Sequence, residues 1–140
     1  MEFARLALIA GSGIFLLLGA VHGLLTLRDL RNPTNFTPTD PAVREAMEGA
    51  RLAIHPHANI WKAWIGFNLS HSLGLLLFGG TVWIIAWDYF PVFISSLALR
   101  GLLLSISTIY LVMSIRFWFA RPTAVIAAAM ACYLVAALTA

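Results

Sequence analysis

Four long apolar runs dominate the pattern of hydrophobic and polar positions along the chain. They cover residues 3–27, 60–87, 92–118 and 123–139. A helix that crosses the hydrocarbon core of a bilayer needs about 20 mostly apolar residues, and each run approaches or exceeds that length. The last two connections are very short, so they predict antiparallel neighbouring helices. The pattern therefore predicts an all-α integral membrane protein, a four-helix bundle.

The longest polar stretch separates the first two runs and contains a predicted surface helix. The segment RNPTNFTPTD, residues 31–40, is rich in Pro, Asn and Thr and is typical of a loop. The following segment, residues 41–53, favours a short helix with Thr39 or Asp40 as its N-cap and Pro41 at its first position. Its predicted apolar stripe comprises Val43, Ala46, Met47 and Ala50. The helix is amphipathic, so we expect it to lie on the membrane surface or to cap the bundle.

The charged residues of this helix fall on its other face. These residues are Arg44, Glu45, Glu48 and Arg51. Arg44 and Glu48 are one helical turn apart, a spacing that favours an ion pair.

Composition agrees with membrane insertion and leaves little material for anything else. Of 140 residues, 61% are hydrophobic and 11% are charged, whereas soluble domains carry about 25% charged residues. We therefore expect a single membrane domain, residues 1–140, whose main partner is the lipid bilayer. The net charge is +3, but the basic residues flank apolar runs, which indicates topology rather than binding to nucleic acid. The single Cys132 excludes an internal disulfide.

The basic residues are distributed asymmetrically between the two predicted sides of the membrane. One side carries Arg28, Arg31, Arg44, Arg51, Lys62, Arg116 and Arg121. The other side carries only Arg5. Cytoplasmic loops are enriched in Lys and Arg, so we predict a cytoplasmic loop over residues 28–57, with both termini outside. The expected location is a bacterial inner membrane.

Polar side chains inside the apolar runs are the candidates for a site, because burying them in lipid is costly. His71 lies 11 residues after Ile60, which places it roughly 16 Å along the second helix. Arg100 lies nine residues after Pro91, roughly 13 Å from the opposite side. We expect the two side chains at similar depths, in a polar network with Asn68.

Three further residues extend this candidate network. Ser72 belongs to the same polar interruption, FNLSHS, as Asn68 and His71, and Trp64 lies one turn before Asn68. His22 lies near the end of the first helix, next to a pair of glycines that permits close helix packing. The network would either bind a ligand, proton or anion, or lock the helices together. Arg100 would alternatively extend its charged end towards the interface.

Metal and catalytic chemistry find little support in the sequence. Imidazole suits zinc, copper and iron, and four histidines, His22, His55, His57 and His71, lie from mid-membrane to the cytoplasmic side. Their spacings match no metal or haem signature, and neither a cysteine pair nor an intramembrane acid accompanies them. No catalytic motif is present either. We therefore predict no cofactor, no metal and no catalytic residue.

The segment from Ile60 to Gly79, IWKAWIGFNLSHSLGLLLFG, resembles a group of small bacterial four-helix membrane proteins whose function is not established. The shared features are the Asn68–Ser72 core, the pair His22–Gly23 in the first helix, and the polar loop. The resemblance implies a four-helix membrane protein and directs attention to His22, Asn68 and His71. It implies no substrate or cofactor.

Three functions fit these observations. The favoured one is a non-enzymatic membrane protein, a homo-oligomer or an accessory subunit of a larger complex, whose polar network fixes packing. The second is a binding or transport protein for a small anionic or lipidic ligand, based on Arg100 beside His71. The third is a membrane redox or metal protein that uses His22 and His71.

Overall fold

The computed structural model describes residues 1–140 and consists of six helices and one small antiparallel hairpin. The elements are α1 (Glu2–Asp29), α2 (Pro41–Gly49), β1 (Arg51–Leu52), β2 (His55–Asn59), α3 (Ile60–Asp88), α4 (Phe90–Ser95), α5 (Leu97–Phe117) and α6 (Ala120–Thr139). Helices α1, α3, α5 and α6 are long and apolar enough to cross a membrane. This confirms the prediction of a helical chain with four long apolar helices.

The third apolar run, predicted as one helix over 92–118, is divided in the structure. Its first residues belong to the short helix α4, and α5 begins only at Leu97. Ser96 separates the two with an extended backbone, and its hydroxyl accepts a hydrogen bond from the Leu99 N–H. A serine N-cap satisfies a backbone donor at the start of a new helix, so this residue ends one helix and begins the next.

The fourth helix begins earlier than the predicted residue 123. Arg121 and Pro122 lie in the short connection predicted between the last two runs, but in the structure they belong to the first turn of α6, which starts at Ala120. Proline is compatible with that position because the first N–H groups of a helix have no intrahelical acceptor. Pro122 therefore belongs to the start of α6 rather than to the connection before it.

The predicted surface helix over 41–53 is correct at its start and wrong at its end. Asp40 caps α2 by accepting a hydrogen bond from the Ala42 N–H, and the predicted Arg44–Glu48 ion pair is formed at 3.0 Å. The helix ends at Gly49, a residue type with low helix propensity. The next residues turn into β1, which pairs with β2, because the hairpin offers their backbone groups an alternative set of partners.

Packing divides the chain into two compact units, residues 1–18 with 75–140, and residues 19–74. The first unit holds the main hydrophobic core, with Phe15 at its centre. The Phe15 ring contacts Phe78, Tyr110 and Tyr133 at centroid distances of 4.9, 5.4 and 5.9 Å. Gly11 lets Tyr133 approach α1, since a Cβ atom there would lie 2.5 Å from the tyrosine ring.

Arg5 ties α1 to the end of α3 within this unit. Its side chain donates to the carbonyl oxygens of Ala86 and Trp87, at 2.8 and 3.2 Å, in the last turn of α3. The guanidinium also lies 5.0 Å from the centre of the Trp87 ring. Cations near the C-terminus of a helix interact favourably with its exposed carbonyls. The one basic residue of the first apolar run therefore acts as a cap for another helix.

Candidate functional site

The second unit, residues 19–74, is organised around a buried carboxylate at the end of α1. Asp29 is 1% exposed. Its oxygens accept hydrogen bonds from the backbone N–H groups of Thr34, Asn35 and Phe36 at 3.1, 2.9 and 2.6 Å. The Asn35 amide and the Thr37 hydroxyl also donate to it, at 2.8 and 3.3 Å. A single side chain therefore fixes the conformation of the loop over residues 34–37.

Phe36 connects this loop to the two helices of the unit. Its carbonyl oxygen accepts a hydrogen bond of 2.8 Å from the Trp64 indole N–H on α3. Its ring lies 4.4 Å from the His22 imidazole on α1, tilted by 40°. The loop thus contacts both helices beside the predicted site residues.

His22 and Asn68 form the central polar contact between α1 and α3. The His22 Nε2 atom lies 3.0 Å from Asn68 Oδ1, and Asn68 is fully buried. The Asn68 amide nitrogen donates to the Trp64 carbonyl at 2.8 Å, so its oxygen is the acceptor for His22. This assigns the hydrogen of the imidazole to Nε2.

His71 extends the site along α3 as part of a row of rings. The His71 ring lies 5.2 Å from the His22 ring, nearly perpendicular to it. It is stacked at 6.1 Å on Phe67, which is stacked at 6.4 Å on Trp64. His71 is half-buried, and Phe67 is exposed. The row is therefore accessible from outside the unit at Phe67.

Ser72 and Gly23 bring the two helices close together next to this contact. The buried Ser72 hydroxyl donates to the Asn68 carbonyl of its own helix at 2.8 Å. A Cβ atom at Gly23 would lie 3.3 Å from Ser72 Cβ, tighter than most such contacts. Thr26 likewise donates to the His22 carbonyl at 2.9 Å. Small residues that bond to their own helix leave a surface on which a second helix packs closely.

Arg100 belongs to the first unit. One of its terminal nitrogens donates to the carbonyl of Ala137, in the last turns of α6, at 3.3 Å. The Nε atom is buried without a hydrogen-bond partner. The expected network of Arg100 with His71 and Asn68 stays a prediction, whereas its contact with the carbonyl end of α6 is a favourable one for a cation.

The remaining histidines lie on the hairpin. His55 and His57 are exposed residues of β2, with ring centroids 5.6 Å apart. No group of three or more His, Cys, Asp or Glu side chains is arranged to hold a metal ion.

Comparison of the chain with protein-family models, with curated proteins and with solved structures finds no match. The site brings His22, Asn68, His71 and Ser72 together, while Asp29 and Phe36 are participants that the sequence did not reveal.

Proposed function

We propose that the chain is an integral membrane protein whose four apolar helices form a bundle, in a bacterial inner membrane, with the basic loop over 28–57 in the cytoplasm. Four helices of sufficient length and hydropathy support membrane insertion, and the distribution of Lys and Arg supports the orientation. The resemblance carried by Asn68–Ser72 is in keeping with the same type of protein.

Within that membrane the chain acts as a non-enzymatic subunit, either of a homo-oligomer or of a larger complex. One outward face of α5 carries this proposal. Gly101, Ser105 and Thr108 are all exposed and recur at intervals of four and three residues, so they lie on one side of the helix. No atom lies within 4 Å of a Cβ built at Gly101. This face therefore remains available to another helix.

The hydroxyls of this face are already satisfied within α5. Ser105 donates to the Gly101 carbonyl at 2.8 Å, and Thr108 donates to the Leu104 carbonyl at 2.7 Å. The Thr108 oxygen also lies 3.9 Å from the Met130 sulfur of α6, so Thr108 marks the edge of the face next to that helix. The face is consequently small and flat, without unpaired donors that lipid would penalise. Association of helices in lipid is driven by close packing, which Gly, Ser and Thr at intervals of about one turn permit. Lipid contact alone requires no such residues.

A bulky substitution on this face tests the proposal. Gly101→Leu should abolish close helix packing, while Gly66→Leu is a matched control, because Gly66 lies on α3 with equally open surroundings. Subunit counting by single-molecule photobleaching in native-membrane nanodiscs gives the readout. We expect wild type and Gly66→Leu to show more than one chain, or a co-purified partner, in each nanodisc. Gly101→Leu should show a single chain without a partner. A monomer without a partner in all three proteins would overturn the oligomeric role.

A second candidate is a small-ligand site, favoured by the row formed by Trp64, Phe67 and His71. Phe67 is 51% exposed while its stacked neighbours are half-buried, so a flat or lipidic molecule can reach the row from outside. Extraction with native lipids followed by mass spectrometry tests this function. A molecule retained by wild type and lost from Phe67→Ala would support it, and a ligand-free wild-type protein would count against it.

A further inference from the structure

The hairpin between α2 and α3 carries an unusual apolar tip. Its strands pair with Arg51 opposite Asn59 and Leu52 opposite His55, and Ile54 occupies the turn. Ile54 is 90% exposed, the highest value among the large hydrophobic residues of the chain. An isoleucine at a fully exposed turn has no packing role inside the protein.

The base of the hairpin is fixed to the first turn of α3. The Ile60 N–H donates to the Ala50 carbonyl at 3.2 Å, and the Lys62 N–H donates to the Asn59 side chain at 2.8 Å. The Arg44 guanidinium lies 5.0 Å from the centre of the Trp61 ring. The two hydrogen bonds attach the base of the hairpin to the first turn of α3, and the contact of Arg44 with Trp61 attaches α2 to the same turn. The exposure of Ile54 is therefore a property of the folded unit.

The charge of the same segment has one sign. Between Gly49 and Trp87 the only charged residues are Arg51 and Lys62, and no acidic residue occurs. Both basic side chains are exposed. Helix α3, a candidate membrane span, begins at the residue that follows β2. The start of the candidate span α3 therefore has four residues close to it in the sequence, the apolar Ile54, the aromatic Trp61 and the basic Arg51 and Lys62.

We propose that the hairpin is a membrane-surface contact, which inserts Ile54 into the headgroup layer and binds the phosphate groups of anionic phospholipids through Arg51 and Lys62. The inference rests on the proposed insertion of the four helices into a membrane. A basic residue near an anionic bilayer gains about 1 kcal/mol, which corresponds to about a fivefold change in affinity. Tryptophan and apolar tips favour the same interfacial depth.

Spin labels on the full chain test the position of the hairpin. In a Cys132→Ser background, a nitroxide is attached at Ala53→Cys, next to the intact Ile54. Labels at Thr39→Cys and Ile109→Cys serve as references for the loop and for the outward face of α5, since both residues are exposed. The protein is reconstituted in vesicles of phosphatidylcholine with phosphatidylglycerol. Accessibility to oxygen and to a water-soluble nickel chelate then reports depth.

The expected result is an intermediate depth for the label at residue 53, with more oxygen contact and less nickel contact than at residue 39. Adding Ile54→Asp should move it to the values of residue 39. Equal values at 53 and 39 with Ile54 intact would overturn the proposal, as would shielding from both reagents, which indicates contact with protein. A water-exposed label at 109 would instead reject membrane insertion itself.

The lipid headgroup is tested by charge. In the double variant Arg51→Gln with Lys62→Gln, we expect the label to move towards water, as it should in vesicles of phosphatidylcholine alone. The matched control, Arg51→Lys with Lys62→Arg, keeps both charges and should retain the intermediate depth. Depth that is the same with and without phosphatidylglycerol would reject the anionic headgroup as the partner.

Discussion

His22 and Asn68 are 46 positions apart in the sequence and are joined by a 3.0 Å hydrogen bond. It runs from the Nε2 atom of His22, on α1, to the Oδ1 atom of Asn68, on α3. The Asn68 amide is in turn held by the Trp64 carbonyl, and the Trp64 indole is held by the Phe36 carbonyl. The contact therefore links two apolar helices and the loop that connects them. A buried amide with both of its polar atoms engaged is suited to fix one packing arrangement.

Removal of the Asn68 side chain should destabilise the second unit. Asn68→Ala leaves the His22 N–H without its acceptor and opens a small cavity, so we expect a loss of about 1–3 kcal/mol in the free energy of unfolding. Ser70→Ala is the control, because the exposed Ser70 hydroxyl bonds only to a carbonyl of its own helix. Unfolding in mixed micelles with increasing dodecyl sulfate measures both. Equal stability of the two variants would contradict the linking role of Asn68.

Asp29 should determine the order of the loop over 34–37. Asp29→Asn retains the size of the side chain but replaces one acceptor oxygen with an NH2 donor. In wild type the backbone N–H groups of Asn35 and Phe36 donate to the carboxylate, so in the variant a donor would face a donor. Hydrogen bonds to a charged group contribute about 1.5–3 kcal/mol each, so amide exchange at residues 34–36 should accelerate at least tenfold.

Asp40→Asn is the matched control for this experiment. Asp40 also accepts a backbone hydrogen bond, from Ala42, but asparagine is about as good an N-cap as aspartate. Exchange in α2 should therefore change little. If Asp29→Asn left the loop amides as protected as in wild type, the carboxylate would not be what orders this segment.

The sequence predicted the four apolar helices because lipid imposes a long and simple hydrophobic pattern. It also singled out Asn68 and His22, because polar residues stand out against that pattern. The role of Asp29 was not predictable, since its partners are mostly backbone N–H groups of Thr34, Asn35 and Phe36, which leave no mark on residue type. The only indication in the sequence was the asparagine and threonine content of the loop, which is typical of a turn but does not identify Asp29 as its partner.

Two of the helix boundaries that were wrong have a common physical cause. Residues 50–53 were predicted as part of the surface helix and residues 54–59 were assigned to no element, because a short strand pair has almost no hydrophobic alternation of its own. Ser96 lies within a continuous apolar run, so its capping role becomes visible only from the extended backbone at that position. In both places backbone hydrogen bonding, rather than hydrophobicity, decides the structure.

Two neighbouring glycines of α1 should respond in opposite ways to the same substitution. A Cβ atom at Gly11 would lie 2.5 Å from the Tyr133 ring, whereas one at Gly13 would lie at 3.7 Å from Trp83, an ordinary contact. Gly11→Ala should cost about 1–3 kcal/mol through overpacking. Gly13→Ala should be neutral or stabilise by up to about 1 kcal/mol, because alanine favours the helix. Thermal unfolding in one detergent compares them, and a tolerated Gly11→Ala would contradict the tight α1–α6 contact.

Tyr133 provides a test in which loss of a polar group should improve stability. The side chain is fully buried, and its hydroxyl oxygen has no hydrogen-bond partner. An unsatisfied buried polar group costs about 1–3 kcal/mol, while its ring fills the core against Phe15. Tyr133→Phe keeps the ring and should raise the free energy of unfolding by about 1 kcal/mol. Tyr133→Ala should lower it by about 3–5 kcal/mol, because the ring is lost. Destabilisation by Tyr133→Phe would instead mean that the hydroxyl is bonded in the membrane-inserted protein, for example to a buried water molecule.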